Sequence, residues 1–123
     1  MAVEDWYKAD FWEIDPNYKG NLKLLRDLFA ENEVPVGVIS GDWDTLNGIL
    51  VATNKRAIFI DKGLMSKKVV ELPYERMASV VHETGMMKGR VTIHSAGSVA
   101  EFKSVPKYQV RPFADLLRDL IAN

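Results

Sequence analysis

Residues 48–61 read GILVATNKRAIFID, two apolar runs joined by the polar tetrad Thr53, Asn54, Lys55 and Arg56. Short runs rich in Ile, Val and Ala with so brief a polar break predict a β-hairpin, with strands over 49–53 and 56–61 and a tight loop at Asn54 and Lys55. Asn tolerates the left-handed backbone that such turns need. The loop length fixes the register: Leu50 faces Phe59 and Ala52 faces Ala57, while Ile49 with Ile60 and Val51 with Ile58 point to the other side. Both faces are then apolar. A hairpin with one face in water alternates, so this one needs cover twice, once from the domain core and once from something else.

Outward from this hairpin the strand pattern continues in both directions. Further strands are predicted over 36–43, 67–72, 77–84, 90–94 and 99–103, with loops over 44–48, 62–66 and 85–89, a corner over 74–76 and a turn at Ala96 and Gly97. Upstream, a helix is expected to start with Asp15 as its cap and Pro16 in its first position. It should stop near Asn32, because Pro35 disfavours helical geometry at Val34. Leu22, Leu25 and Phe29 share one face of this helix, and Leu24 and Leu28 widen it. That face is the nearest apolar surface able to cover Ile49, Val51, Ile58 and Ile60. The helix is therefore expected to lie on a sheet, its own or a neighbour's; the alternative is that another subunit's sheet covers the hairpin and the helix packs elsewhere. At the other end of the chain Val110, Phe113, Leu116, Leu117, Leu120 and Ile121 recur at helical spacing. Proline deep in a helix costs about 3 kcal/mol, which assigns Pro112 to the first turn and starts the regular helix between Gln109 and Arg111, after a turn at Pro106.

At 123 residues, 47% apolar and 27% charged, the chain has the balance of a single globular core. A net charge of -1 gives no overall attraction to nucleic acid or to an anionic membrane, so any basic site must be local. The absence of cysteine excludes disulfides, thiol catalysis and thiolate metal sites together. Acidic and aromatic residues follow Met1 where a leader would carry a basic flank and an apolar core, and no apolar run is long enough to span a bilayer. A cytoplasmic location is the expectation. Residues 1–14 stand out because Trp6, Tyr7, Phe11 and Trp12 alternate with Glu4, Asp5, Lys8, Asp10 and Glu13. Such a segment either packs on its own domain or meets another chain.

Seven short strands in hairpin order followed by one amphipathic helix is the layout of the pleckstrin-homology superfold. The segments GILVATNKRAIFIDKG, KKVVELPYERMASV, TGMMKGRVTI and FKSVPKYQV, in this order and spacing, resemble the bacterial pleckstrin-homology families, most of all the YokE-like one. The resemblance covers about residues 34–121. It implies an α+β, mainly β fold: a seven-stranded antiparallel bent sandwich or partial barrel capped by the C-terminal helix, with the N-terminal helix as an addition. Residues 1–33 then form an N-terminal aromatic segment and helix, and residues 34–123 the pleckstrin-homology-like domain. Such a domain binds rather than catalyses.

Candidate sites follow from the loops. Lipid-binding relatives of this superfold carry spaced Lys and Arg after strand 1, but this chain has Asp42, Trp43 and Asp44 there, and two carboxylates repel a phosphorylated ring. No inositol phosphate is expected to bind, and Trp43 remains as a candidate contact. Lys62, Lys67 and Lys68 flank Leu64 and Met65, a pattern suited to a weak interfacial wedge worth about 1 kcal/mol per lysine on anionic lipid. Met86 and Met87, beside Lys88, form an adaptable apolar pair at a hairpin tip or fold back over the barrel mouth. Pairing Val80 with Ile93 sets His82 opposite Val91 and turns His94 outward, so the two imidazoles do not converge on a metal. No metal, cofactor or nucleic acid is expected, and the scattered serines lack the elbow and histidine spacing of a nucleophile. The leading expectation is a non-catalytic binding and assembly module acting through protein contacts, including homo-oligomer formation. The alternatives are a peripheral membrane binder and a small-ligand-binding domain.

Overall fold

The computed structural model describes residues 18–63 and 68–123. Among these residues the order is α1 (Lys19–Leu28), β1 (Pro35–Trp43), β2 (Leu46–Thr53), β3 (Arg56–Asp61), β4 (Val69–Pro73), a 3-10 turn (Tyr74–Arg76), β5 (Met77–Thr84), β6 (Lys88–Ser95), β7 (Ser98–Pro106) and α2 (Lys107–Ala122). All neighbouring strands are antiparallel, in one open sheet of order β4-β3-β2-β1-β7-β6-β5. The β2–β3 register pairs Leu50 with Phe59, Ala52 with Ala57, Ile49 with Ile60 and Val51 with Ile58. In the second half of the sheet Val80 pairs with Ile93 and His82 with Val91.

The sheet folds over on itself. Phe59 on β3 and Phe102 on β7 are three strands apart in the sheet order, about 14 Å if it were flat. Their ring centroids are nevertheless 5.8 Å apart, with Trp43 of β1 wedged against both. The concave side so formed holds the inner core: Ile39, Leu50, Phe59, Val91, Ile93 and Phe102 from the sheet, closed by Val110, Phe113, Ala114 and Leu117 of α2. Leu116, Leu120 and Ile121 pack partly buried at its margin. Since Leu117 is fully buried here, Leu117→Ala should cost about 2–5 kcal/mol. Chemical denaturation checks this, and an unchanged midpoint would mean that α2 does not close the core.

A second core lies on the convex side, where Tyr18, Leu22 and Leu25 of the α1 region pack on Val38, Ile49, Val51, Ile58 and Ile60, with Leu24 and Phe29 alongside. The doubly apolar hairpin is thus covered by α2 and the far half of the sheet on one side and by the chain's own α1 on the other.

Several boundaries differ from expectation. The β1–β2 loop is the pair Asp44 and Thr45, not residues 44–48: Asp44 takes the left-handed conformation (φ 56°), Trp43 pairs with Leu46, and Asn47 and Gly48 sit within β2. Gly48 is needed there because a Cβ would run into the Ile60 carbonyl. The first helix ends at Leu28, before Asn32, because Phe29 turns extended (ψ 136°) and the groups beyond it bond elsewhere. Its expected start at Asp15 and Pro16 lies outside the described residues, as does Lys67 at the start of the fourth strand. β6 begins at Lys88, two residues before Arg90, which leaves only Gly85, Met86 and Met87 between strands. β7 extends to Pro106, bent at Ser104 (φ 57°), and runs straight into α2. That early start places Pro112 in the second turn, where it forgoes the bond to Tyr108 alone.

Candidate functional site

The tetrad Thr53, Asn54, Lys55 and Arg56 does more than turn the chain. Every one of its side chains holds the connection between α1 and β1. The Asn54 amide accepts from the Val34 N–H (2.8 Å) and donates to the Asn32 carbonyl (3.0 Å), while Lys55 Nζ donates to the Glu31 carbonyl (2.9 Å). Arg56 donates through Nε and one terminal nitrogen to the two oxygens of Glu33, each at 2.9 Å, and through the same terminal nitrogen to the Leu28 carbonyl (2.9 Å). Its other terminal nitrogen meets Glu71 at 3.2 Å. Glu33 has no solvent-exposed side-chain surface, and its carboxylate also accepts from the Thr53 hydroxyl (2.6 Å) and the Ala30 N–H (2.8 Å). Burial, the largest single effect, pushes this carboxyl up. The hydrogen bonds from Arg56, Thr53 and Ala30, with the charge of Arg56, outweigh it and hold the group at about 2. Below the tetrad Tyr74 donates its hydroxyl to the Thr53 carbonyl (2.6 Å).

A second set of bonds pins the other end of α1. Buried Asn21 donates to the carbonyls of Ile60 (3.0 Å) and Asp61 (2.7 Å), and the Tyr18 hydroxyl donates to Asn47 Oδ1 (2.7 Å). Asn47 in turn donates to Asp42 (2.6 Å). These polar clamps are structural. They explain how a ten-residue helix, marginal by itself, keeps one position on the sheet.

The residues singled out as binding candidates separate accordingly. Leu22, Leu25, Phe29, Ile49, Val51, Ile58 and Ile60 lie between α1 and the sheet of one chain. The doubly apolar hairpin therefore supplies no free face for another subunit. Trp43 packs edge-on against Phe59 (5.3 Å between centroids) and tilts against Phe102 (5.2 Å), so its ring belongs to the core margin. Lys62 sets its ammonium 5.2 Å from the centre of the Tyr18 ring. Lys68 is exposed, and its carbonyl accepts from the Asp61 N–H. Leu64, Met65 and Lys67 lie outside the described residues. His82 Nδ1 is 3.0 Å from a terminal nitrogen of Arg118 on α2.

Met86 and Met87 behave differently. Thr84 pairs with Gly89 and the Gly85 N–H donates to the Lys88 carbonyl (2.9 Å), so the two methionines form the tip of a tight hairpin. They are 93% and 82% exposed, the two most exposed large apolar side chains among the described residues. The tip is held rigidly, because β6 pairs with β7 up to Lys88 opposite Pro106 and Val110 of α2 closes on Gly89 so tightly that a Cβ there would collide. Lys107 and the half-exposed Tyr108 open α2 beside this pairing. Arg90 is engaged by Glu83 (2.7 Å) and Glu101 (3.4 Å), and Lys103 by Glu101 (3.3 Å). Lys88 and Lys107 form no ion pair with any described residue. The result is an apolar point with two available cations, and the β5–β6 and β3–β4 connections leave the sheet in opposite strand directions, since β3 runs with β1 while β5 runs against it. No helix among the described residues is long and apolar enough to cross a membrane.

Comparison with known proteins places this geometry. A family model described as Bacterial PH domain matches residues 29–119. Among solved structures, a pleckstrin homology domain from Shewanella amazonensis SB2B is similar at TM-score 0.61 and 15% identity, over 86% of this chain and 99% of that one. A DUF1696-family protein with a pleckstrin-homology domain from Shewanella loihica PV-4 is similar at TM-score 0.53 and 22% identity, over 90% and 97%. The C-terminal domain of an unknown protein from Leishmania infantum is similar at TM-score 0.55 and 13% identity, over 80% and 93%. At these identities the structural likeness speaks for the fold. No curated protein is significantly similar in sequence.

Proposed function

The chain belongs to the bacterial PH-domain family, and from that premise we infer that it is a non-catalytic cytoplasmic module that works through protein contacts, self-association among them. The observation that carries this reading is the exposed Met86–Met87 tip, two adjacent flexible thioether side chains displayed on a rigid hairpin and flanked by Lys88 and Lys107. Methionine moulds itself to irregular apolar surface, which suits a protein contact better than the deep wedge a membrane selects. Two methionines leaving water on contact contribute about 3–6 kcal/mol.

Light scattering of the intact chain over a range of concentrations tests the reading. The expected mass rises above the 13.9 kDa of one chain and returns to it in Met86→Asp/Met87→Asp, with the thermal unfolding midpoint unchanged because the tip touches no core residue. A chain that stays monomeric at all concentrations sinks self-association. Adsorption to anionic vesicles that the same double variant abolishes, without any rise in mass, would assign the tip to lipid instead.

A further inference from the structure

Of the five methionines in this chain, Met77, Met86 and Met87 lie among the described residues, and their surroundings differ. Met77 is 6% exposed and packed in the inner core, whereas Met86 and Met87 stand 93% and 82% exposed at the hairpin tip. The chain has no cysteine, so no thiol competes with these thioethers for a two-electron oxidant. Hydrogen peroxide is such an oxidant. The sulfur lone pair attacks one peroxide oxygen, the S–O bond forms as the O–O bond breaks, and the departing hydroxide takes the proton of the transferred oxygen to leave as water. Sulfur is oxidised to the sulfoxide and peroxide is reduced. Access of the sulfur to solvent governs this reaction, which singles out the tip over Met77.

Resting on the self-association proposed above, we propose that Met86 and Met87 are a paired oxidation site through which peroxide controls that association. The reduced tip offers two flexible apolar side chains; the sulfoxides are polar and chiral, and no longer fit an apolar contact. The new oxygens accept hydrogen bonds, and Lys88 beside them forms no ion pair with any described residue. Fold and contact are separable at this point. The hairpin is closed by backbone groups, the Thr84–Gly89 pair and the Gly85 N–H on the Lys88 carbonyl, so oxygen on either side chain leaves it intact. Oxidation of Met77 would instead disrupt the core. Association and oxidation exclude each other, since a contact that buries the tip shields both sulfurs. Peroxide therefore captures the free chain and draws the associated form apart by mass action.

Hydrogen peroxide added to the intact chain, followed by peptide mass spectrometry and light scattering on the same samples, tests the proposal. Met86 and Met87 should each gain one oxygen well before Met77. The mass should fall to that of one chain in step with sulfoxide at the tip, with the thermal midpoint unchanged, and self-association should weaken about a hundredfold. Methionine sulfoxide reductases, one for each sulfur epimer, should restore it. Raising the protein concentration should slow oxidation of the tip. Met77 oxidised as fast as the tip, or an unfolding transition lost as the oxygen is added, overturns the proposal. So does a peroxide response that persists in Met86→Leu/Met87→Leu, because the responsible sulfur then lies elsewhere. If the tip carries both oxygens and the mass stays high, the switch is excluded while self-association stands. A reduced chain that is monomeric at every concentration removes the self-association itself, and the switch with it.

Discussion

A chain lacking residues 1–33 is expected to aggregate and to show no cooperative unfolding transition near that of the intact protein. Its deletion uncovers Val38, Ile49, Val51, Ile58 and Ile60, all of them essentially without solvent contact in the intact fold. At roughly 1.5–3 kcal/mol for each large side chain, the lost burial amounts to about 8–15 kcal/mol, as much as a whole domain of this size has in reserve. The five residues form one contiguous patch across the adjacent strands β1, β2 and β3, the kind of surface that pairs with any similar surface it meets. The same cut removes Asn21 and Tyr18, which satisfy the Ile60 and Asp61 carbonyls and Asn47. Thermal unfolding and light scattering on the truncated chain check this. A product that is monomeric and melts with the full-length protein would show that α1 is dispensable cover, and the convex face would then be free to serve as an interface after all.

How the helix came to be seated there was half legible in the sequence. The doubly apolar pattern of residues 49–60, with a two-residue loop fixing parity, determines which side chains share a face, and Leu22, Leu25 and Phe29 mark the one other apolar stripe upstream. Whether that stripe covers its own sheet depends on polar contacts between residues distant in sequence, and these leave no periodic trace. Arg56 reads locally as a turn-flanking cation; its role is set by Glu33, 23 positions earlier. Asn47 followed by Gly48 is locally a turn signal, yet Asp44 takes the positive φ and Asn47 is held in β2 by Tyr18 and Asp42. The Met86–Met87 tip was visible as a hairpin end, because Gly85 and Gly89 bracket it. Its exposure was not, since the choice between lying over the core and standing clear depends on how tightly Val110 closes on Gly89. Helix α2 shows the same division: its apolar spacing names Phe113 and Leu117, while its start at Lys107, two to four residues before the expected one, follows from β7 feeding directly into it.

The contact with the largest single-residue consequence is Glu33, and its effect should depend on pH in one direction. In the folded chain the carboxyl is held at about 2, against 4.5 for an unperturbed glutamate. A group depressed on folding contributes stability above its unfolded value and loses it as pH falls toward the folded one. The contribution is therefore complete above about pH 5, declines through the window from 4.5 to 2, and at about 1.4 kcal/mol per pH unit is worth about 3 kcal/mol. Glu33→Gln keeps the shape but removes the charge, leaving the Arg56 guanidinium, 23% exposed, with the more exposed Glu71 as its one remaining charged partner among the described residues. Breaking a buried pair on one side costs about 3–5 kcal/mol. The same substitution loosens the junction that fixes α1, because the Ala30 N–H and the Thr53 hydroxyl both lose an ionised acceptor. Denaturation of both proteins from pH 7 to pH 2 should therefore show a large deficit for Glu33→Gln at neutral pH that shrinks steadily below pH 4.5. Two parallel profiles, or equal midpoints at pH 7, would mean that the carboxylate is not what holds the helix. Replacing both partners by apolar residues of similar volume separates charge from packing: Glu33→Met/Arg56→Leu should recover much of the lost stability, because no unpaired ion is left behind.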